Sequence, residues 1–306
     1  MNNFKLAAFG VLFLITVQSC KQGPKVAAYN DTWLSGTAKF AGDESFAPIV
    51  DEEVYVFKAL NQKADPRITY TNENDVLRLL LNDSVRVVFL SRNLDSNELK
   101  VLKTRALYPS VSRFAIDAVT LIVNTASNDT TITVGEIKKM LSGQSNSSMN
   151  IVFDNANSSL VRYLKAMVGI TDFKPKNIFA LKSNKEVIRY VSTHTGAIGI
   201  TGFSWLDDPD ADYADAVGKI KVMAVRDENS KQFAAQYFRP SQTSLALKQY
   251  PLSRDLYIIN CTGRQGLGTG FEKFLVSERG QRIILKSGLL PDDIPGREIE
   301  IKSTLN

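Results

Sequence analysis

The sequence predicts an α/β fold with largely parallel sheets. Three observations predict it. Apolar runs rich in Val, Ile and Phe alternate with amphipathic segments of helical period from Gly36 to Lys286. The helical segments carry their own start and stop residues, as where Thr133 and Glu136 open one helix and Gly143 lies beyond its end. Hydrophobic residues at 44% and charged residues at 23% give an ordinary globular composition, and 306 residues suffice for two domains.

The elements follow in order. "GTAKFAG" (36–42) is a strand, and Pro48 opens a helix in whose first turn its missing N–H costs little. Val50, Val54 and Phe57 recur there at helical spacing. "RITYT" (67–71) is a strand followed by a helix over 75–81. "VRVVFL" (85–90) is the next strand, with a helix after Ser96. "SRFAIDAVTLIVN" (112–124) gives two strand-like runs, and the Thr133–Glu136 capping box starts a helix ending near Ser142. "MNIVF" (149–153) is a strand that runs into "DNANSS" and then a helix with Leu160, Leu164, Met167 and Val168 on one face, stopped at Gly169. "NIFAL" is a short strand, and Ser183 with Glu186 caps a helix through Val191. "AIGI" (197–200), "IKVMAV" (220–225) and "DLYIIN" (255–260) are strands, and helices over 270–276 and 278–286 close the chain. The least structured stretches are 20–34, 206–215 and 227–243.

The N-terminus "MNNFKLAAFGVLFLITVQSC" has one basic residue, Lys5, and an apolar run from Leu6 to Val17, the length of a signal-peptide core and short for a bilayer span. It ends in Val17-Gln18-Ser19-Cys20, which resembles a lipobox. Cys20 is then the lipidated first residue of the mature chain, and "KQGPK" is its tether. A plain secretory signal with a chance Cys is the blander alternative. Cys261, the other Cys, is expected to be a free thiol at a strand end. The net charge of +5 comes from 37 basic and 32 acidic residues mixed along the chain, with no basic stripe, so nucleic-acid binding is not expected.

Several motifs dissolve under counting. Counted from Asp208, the acidic stretch "DDPDADYADAVG" has Tyr213 and Lys219 where a calcium loop needs Gly and Glu. "GLGTGF" (266–271) lacks the G-x-G-x-x-G spacing, and "GFSWL" around Ser204 lacks the second Gly of a nucleophile elbow. One His, His194, and two Cys make no usual zinc set, and no nucleophile–base pair emerges. No metal, no cofactor and no enzyme activity are expected. What remains is a set of polar strand-to-helix turns: Asp43-Glu44-Ser45-Phe46, Thr71-Asn72-Glu73-Asn74, Ser91-Arg92, and Asp154 to Ser159. Ligands of open α/β sheets bind beyond the carboxyl ends of strands, and helix starts offer N–H groups to anions. Capping accounts for any one of these turns; their recurrence in register suits a small oxyanion.

These residues resemble a known family. "AGDESFAPI" resembles the G-x-x-S/T-F-x-P opening of the phosphate-binding, PstS-like substrate-binding proteins of ABC transporters. "FLSRNL" is similar to their S-R-x-L turn, "FAIDAVTLIVN" to a crossover strand, and "ITVGEIKKMLSG" to a helix. "TGAIGITG", "YPLSRDLYI" and "GFEKFLVSERGQRIILKSGLLP" continue the likeness to Pro291. The resemblance implies a two-lobed type II periplasmic binding protein with two crossover strands. Lobe one is 33–112 plus 227–306, and lobe two is 113–226, after a signal peptide (1–19) and a lipidated tether (20–32). It implies phosphate held by Ser45 and Phe46, Thr71 and Asn72, Ser91 and Arg92, and Ser158 and Ser159. Two positions depart from the family: Asp154 stands where its Arg falls, and Leu160 replaces a Thr. A carboxylate there could accept a proton from hydrogen phosphate, with Arg92 and Arg113 balancing the charge. The expected protein is a monomer anchored in the cell envelope by a lipid on Cys20, passing phosphate to an ABC permease. Alternatives are the same fold holding another small oxyanion or polar solute, which Asp154 favours, and a surface or scaffold lipoprotein that has left transport.

Overall fold

The computed structural model describes residues 30–296. The expected leader, Cys20 and most of the tether lie outside the described residues. No helix among those described is long and apolar enough to cross a membrane.

The strands β1 (Gly36–Asp43), β2 (Ala64–Thr71), β3 (Val87–Leu90), β4 (Ser110–Asn124), β5 (Thr131–Thr133), β6 (Asn150–Phe153), β7 (Ile178–Ala180), β8 (Ala197–Gly202), β9 (Ile220–Val222), β10 (Ala224–Arg226), β11 (Ser253–Asn260) and β12 (Leu290–Pro291) form one large sheet and one small one. The large sheet has the order β2-β1-β3-β11-β4-β8-β6-β7, with β9 and β12 also on β4; β5 and β10 make a separate pair. β1, β2 and β3 are parallel to one another, and so are β6, β7 and β8. β4 and β11 run antiparallel between these two sets.

β4 joins the lobes. Its first part, through Ala118, pairs with β11, and from Val119 it pairs with β8. The change of partner therefore falls a few residues beyond the boundary expected at 112/113. The return also differs: Leu245, Tyr250 and Leu252 pack with Val119, Leu121 and Leu160 of lobe two, so the chain leaves that core near Ser253 and not at 227. The cause is packing. The segment after 227 contains a short helix (Gln242–Ala246) whose Leu245 buries against lobe two.

Each lobe is a sheet covered on both faces, as parallel strands require. In lobe one, α1 (Ala47–Leu60), α10 (Leu267–Leu275) and α11 (Glu278–Lys286) bury Ile49, Phe57, Phe271 and Ile284 on one face. On the other face, α2 (Glu73–Leu81) and α3 (Ser96–Thr104) bury Val76, Leu80 and Leu102. Lobe two places α4 (Val134–Ser142) and α5 (Ser159–Val168) on one face, and α6 (Asn184–Thr193), α7 (Ser204–Asp207) and α8 (Ala214–Val217) on the other.

Local differences have local reasons. The expected strand 220–225 is two strands, because β9 stays on β4 while β10 moves to β5. The two runs over 112–124 are one strand. The helix expected from 75 starts at Glu73, because the Asn72 side chain caps it by accepting from Asp75 N at 3.1 Å. Cys261 is a buried free thiol, pushed up to about 11 by burial. His194 ends α6 and stacks on Tyr190 with ring centroids 3.8 Å apart.

Candidate functional site

The parallel strands aim their carboxyl ends at the line between the lobes. At the ends of β1, β2 and β3 and just past them lie Asp43 to Phe46, Thr71 and Asn72, and Ser91 and Arg92; at the ends of β6 and β8 lie Asp154 to Ser159 and Gly202. This is the edge at which open α/β sheets hold ligands.

At its centre two serines meet. Ser45 lies just past β1 and Ser159 is the first residue of α5, and their hydroxyl oxygens are 3.2 Å apart. Both residues are fully buried. Arg254, from β11, donates to Ser159 Oγ at 2.9 Å and to Ser45 Oγ at 3.2 Å. Its guanidinium lies 4.8 Å from the centre of the Phe46 ring and is paired with Asp117 Oδ2 at 2.7 and 2.9 Å. Arg254 is 4% exposed and Asp117 1%, so the charge is neutralised inside the protein. Asp43 completes the group. Its Oδ1 accepts from Ser45 N at 3.0 Å and from Ser45 Oγ at 2.5 Å, and its Oδ2 accepts from Ser159 N at 2.9 Å.

A second acidic group adjoins the first. Asp154 Oδ1 accepts from Ser158 Oγ at 2.6 Å, and the same hydroxyl caps α5 by accepting from Val161 N. Asn184, the first residue of α6, donates from Nδ2 to Glu44 of lobe one at 2.5 Å and to Asp154 of lobe two at 3.3 Å. Thr201 Oγ1 donates to Asn184 Oδ1 at 2.6 Å and fixes that orientation. Burial, with the nearby Asp43 charge adding to it, pushes both carboxyls up to about 7. A cavity of about 230 Å³ opens beside them, lined by Asp43, Glu44, Thr71, Asn72, Asp154, Ser158 and Lys182 among others. Among the described residues no three His, Cys, Asp or Glu side chains are placed to hold a metal ion.

A further contact joins the lobes through Glu73, 2% exposed at the start of α2. Arg162 of α5 pairs with Glu73 and donates to Ser91 Oγ at 2.8 Å.

The expected site residues thus divide. Ser45, Phe46, Ser158, Ser159 and Asp154 come together, and Thr71 and Asn72 line the adjoining cavity. Ser91 faces Glu73 and Arg162. Arg92 does not supply the charge expected of it: Glu98, whose side chain also closes the α3 cap, holds its guanidinium at 2.7 and 2.8 Å, and Glu73 accepts from it at 3.3 Å. Arg113 pairs with Asp255 and Asp292 at the surface. Arg254 is the cation at the serines.

A family model described as a PBP superfamily domain matches residues 27–279. No curated protein matches the chain. Among solved structures, a candidate phosphate ABC transporter substrate-binding protein from Clostridium perfringens, with bound phosphate, superposes with a TM-score of 0.68 at 18% identity, over 84% of this chain and 100% of that one. An ABC-type phosphate transport receptor from Vibrio cholerae gives 0.61 at 19% identity, over 83% and 99%. The CcmR regulatory domain of Synechocystis, in complex with 2-PG, gives 0.51 at 12% identity, over 79% and 96%. At such identities the likeness is one of fold.

Proposed function

This chain belongs to the PBP superfamily, and from that premise we propose that it is a lipid-anchored solute-binding protein of the cell envelope, which captures a small oxyanion, phosphate first among them, between its lobes for an ABC permease. One observation carries the oxyanion: the backbone N–H groups of Ser45 and Ser159, one from each lobe, donate to a single carboxylate, that of Asp43, and the Arg254 guanidinium donates to the two serine hydroxyls beside it. Charge-assisted hydrogen bonds from backbone and guanidinium groups are the physical means of holding such an anion in a buried place. The phosphate-named neighbours of the same fold support the choice of phosphate, and the leader with Cys20 supports the anchor.

The acidic lining of the adjoining cavity favours a second reading, in which the solute is an uncharged or protonated polar molecule. Asp43, Glu44 and Asp154 there face one cation of the lining, Lys182. A singly or doubly protonated phosphate satisfies both readings, because it can donate to a carboxylate.

Isothermal titration of inorganic phosphate and sulfate into the wild type and Ser45→Ala tests the assignment. Removing a hydrogen bond to a charged group costs roughly 1.5–3 kcal/mol, so Ser45→Ala is expected to bind phosphate about tenfold to a hundredfold more weakly. Equal binding by the two proteins overturns it. Native mass spectrometry of the protein from its own cells separates the two readings by the mass of what it carries.

A further inference from the structure

The donors that suit an oxyanion already have an anion of the chain's own. Asp43 is fully buried and its carboxylate spans the lobes, taking Ser45 N and Oγ on one oxygen and Ser159 N on the other. Helix capping explains the Ser45 contact, two residues away. It does not explain the contact with Ser159 N, which comes from the other lobe. The carboxylate bridges the two serine-bearing turns as one face of a bound oxyanion would.

We propose that Asp43 is a resident anion of the cleft, which competes with the solute for the donors of Ser45 and Ser159 and so determines which anions the protein captures. The inference rests on the oxyanion reading above. Capture is then an exchange: the incoming anion takes the donors and the Asp43 carboxylate gives them up. An intramolecular competitor acts at a high effective concentration. A monocarboxylate brings the same group that it displaces and gains nothing. A tetrahedral oxyanion brings further oxygens for Arg254, and a protonated one can donate to the displaced carboxylate. The expected order in the wild type is phosphate, then sulfate, with acetate last.

Phosphate, sulfate and acetate are titrated calorimetrically into the full-length wild type, Asp43→Asn and Asp43→Ala. Asn keeps the cap without the charge, and Ala vacates the place. If Asp43 competes, both variants bind phosphate at least about tenfold more tightly than the wild type, and Asp43→Ala gains binding of acetate, which fills the vacated position. Should Asp43→Ala fail to fold by circular dichroism, Asp43→Asn decides. Phosphate binding that is unchanged or weaker in the variants, while the wild type binds it, overturns the inference and leaves the oxyanion reading standing. If all three proteins are folded and none binds any of the anions, both fall together.

Discussion

Glu53 is fully buried on α1, and neither of its oxygens has a hydrogen-bond partner. Burial pushes its carboxyl up to about 9, with Glu52 adding to the shift, so the folded protein keeps the proton at neutral pH. The sign follows from linkage. Between the ordinary value of 4.5 and about 9 the folded state binds a proton that the unfolded state has lost, so stability from this group falls as pH rises through that window. Glu53→Met, of similar length and without polar atoms, is expected to stabilise the protein by about 1–3 kcal/mol, the cost of an unsatisfied buried polar group. Urea unfolding at several pH values checks this: the gap between variant and wild type widens with pH, and a gap that is absent or independent of pH refutes it. Other residues show what the sequence discloses at this scale. The turn Asp43 to Phe46 is visible as polar and as following a strand, but which way Asp43 and Glu44 point depends on Ser159 and Asn184, more than a hundred residues away. Arg254 sits in a strand that otherwise reads as an ordinary half-polar segment, and only the pairing of β11 with β4 sets it beside Asp117. Arg92 has the residue type expected of an anion ligand, yet Glu98 of the following helix claims it, a pairing that no helical or strand spacing marks.

Elements were far more legible than their ends. The Thr133–Glu136 box is reciprocal, with Thr133 Oγ1 accepting from Glu136 N and Glu136 accepting from Thr133 N, and Gly143 ends that helix at φ +80°. The second expected box is half present: Ser183 accepts from Glu186 N, whereas Glu186 accepts from Lys182 N. Short pieces such as β5, β12, α7, α8 and the helix Gln242–Ala246 (α9) escaped, because elements of two to five residues carry too little periodicity to stand out. The end of β8 bears most directly on the site. A Cβ at Gly202 would lie 2.9 Å from Ser45 O and 3.2 Å from Arg254 Nη2. Backbone oxygen cannot yield as a side chain can, so Gly202→Ala forces the lobes apart at this contact while β8 stays paired within lobe two. The nearby bond from Trp205 Nε1 to Ser45 O, 3.2 Å long, reports on it. The expected outcome is altered Trp205 fluorescence and a larger radius of gyration with unchanged far-ultraviolet circular dichroism. An unchanged radius would show that the contact adjusts without separation.

Across the whole molecule, the α/β alternation was readable in the sequence and the two-lobed plan was implied by the family resemblance, whereas the direct contact between lobes was not legible, since it joins residues distant in sequence. That contact carries a pH dependence. Glu44 comes from lobe one and Asp154 from lobe two; burial and the neighbouring Asp43 together lift both carboxyls to about 7, from ordinary values of 4.5 and 3.8. The other charges beside them are Lys185, which acts on Glu44, Lys182 in the cavity wall, and Arg254, already paired with Asp117. Separating the lobes would rehydrate the two carboxyls and return them toward their ordinary values. The closed form therefore holds more protons than the open one between those values and about 7, and closure weakens as pH rises through that window. Small-angle scattering of the solute-free protein should give a smaller radius of gyration at about pH 5 than at about pH 8. The double variant Glu44→Gln, Asp154→Asn retains acceptors for Asn184 and Ser158 but cannot titrate, and its radius is expected to be the same at both pH values. A wild-type radius indifferent to pH, or a double variant that responds as the wild type does, assigns the proton to other groups and leaves the carboxyl pair as a static part of the interface.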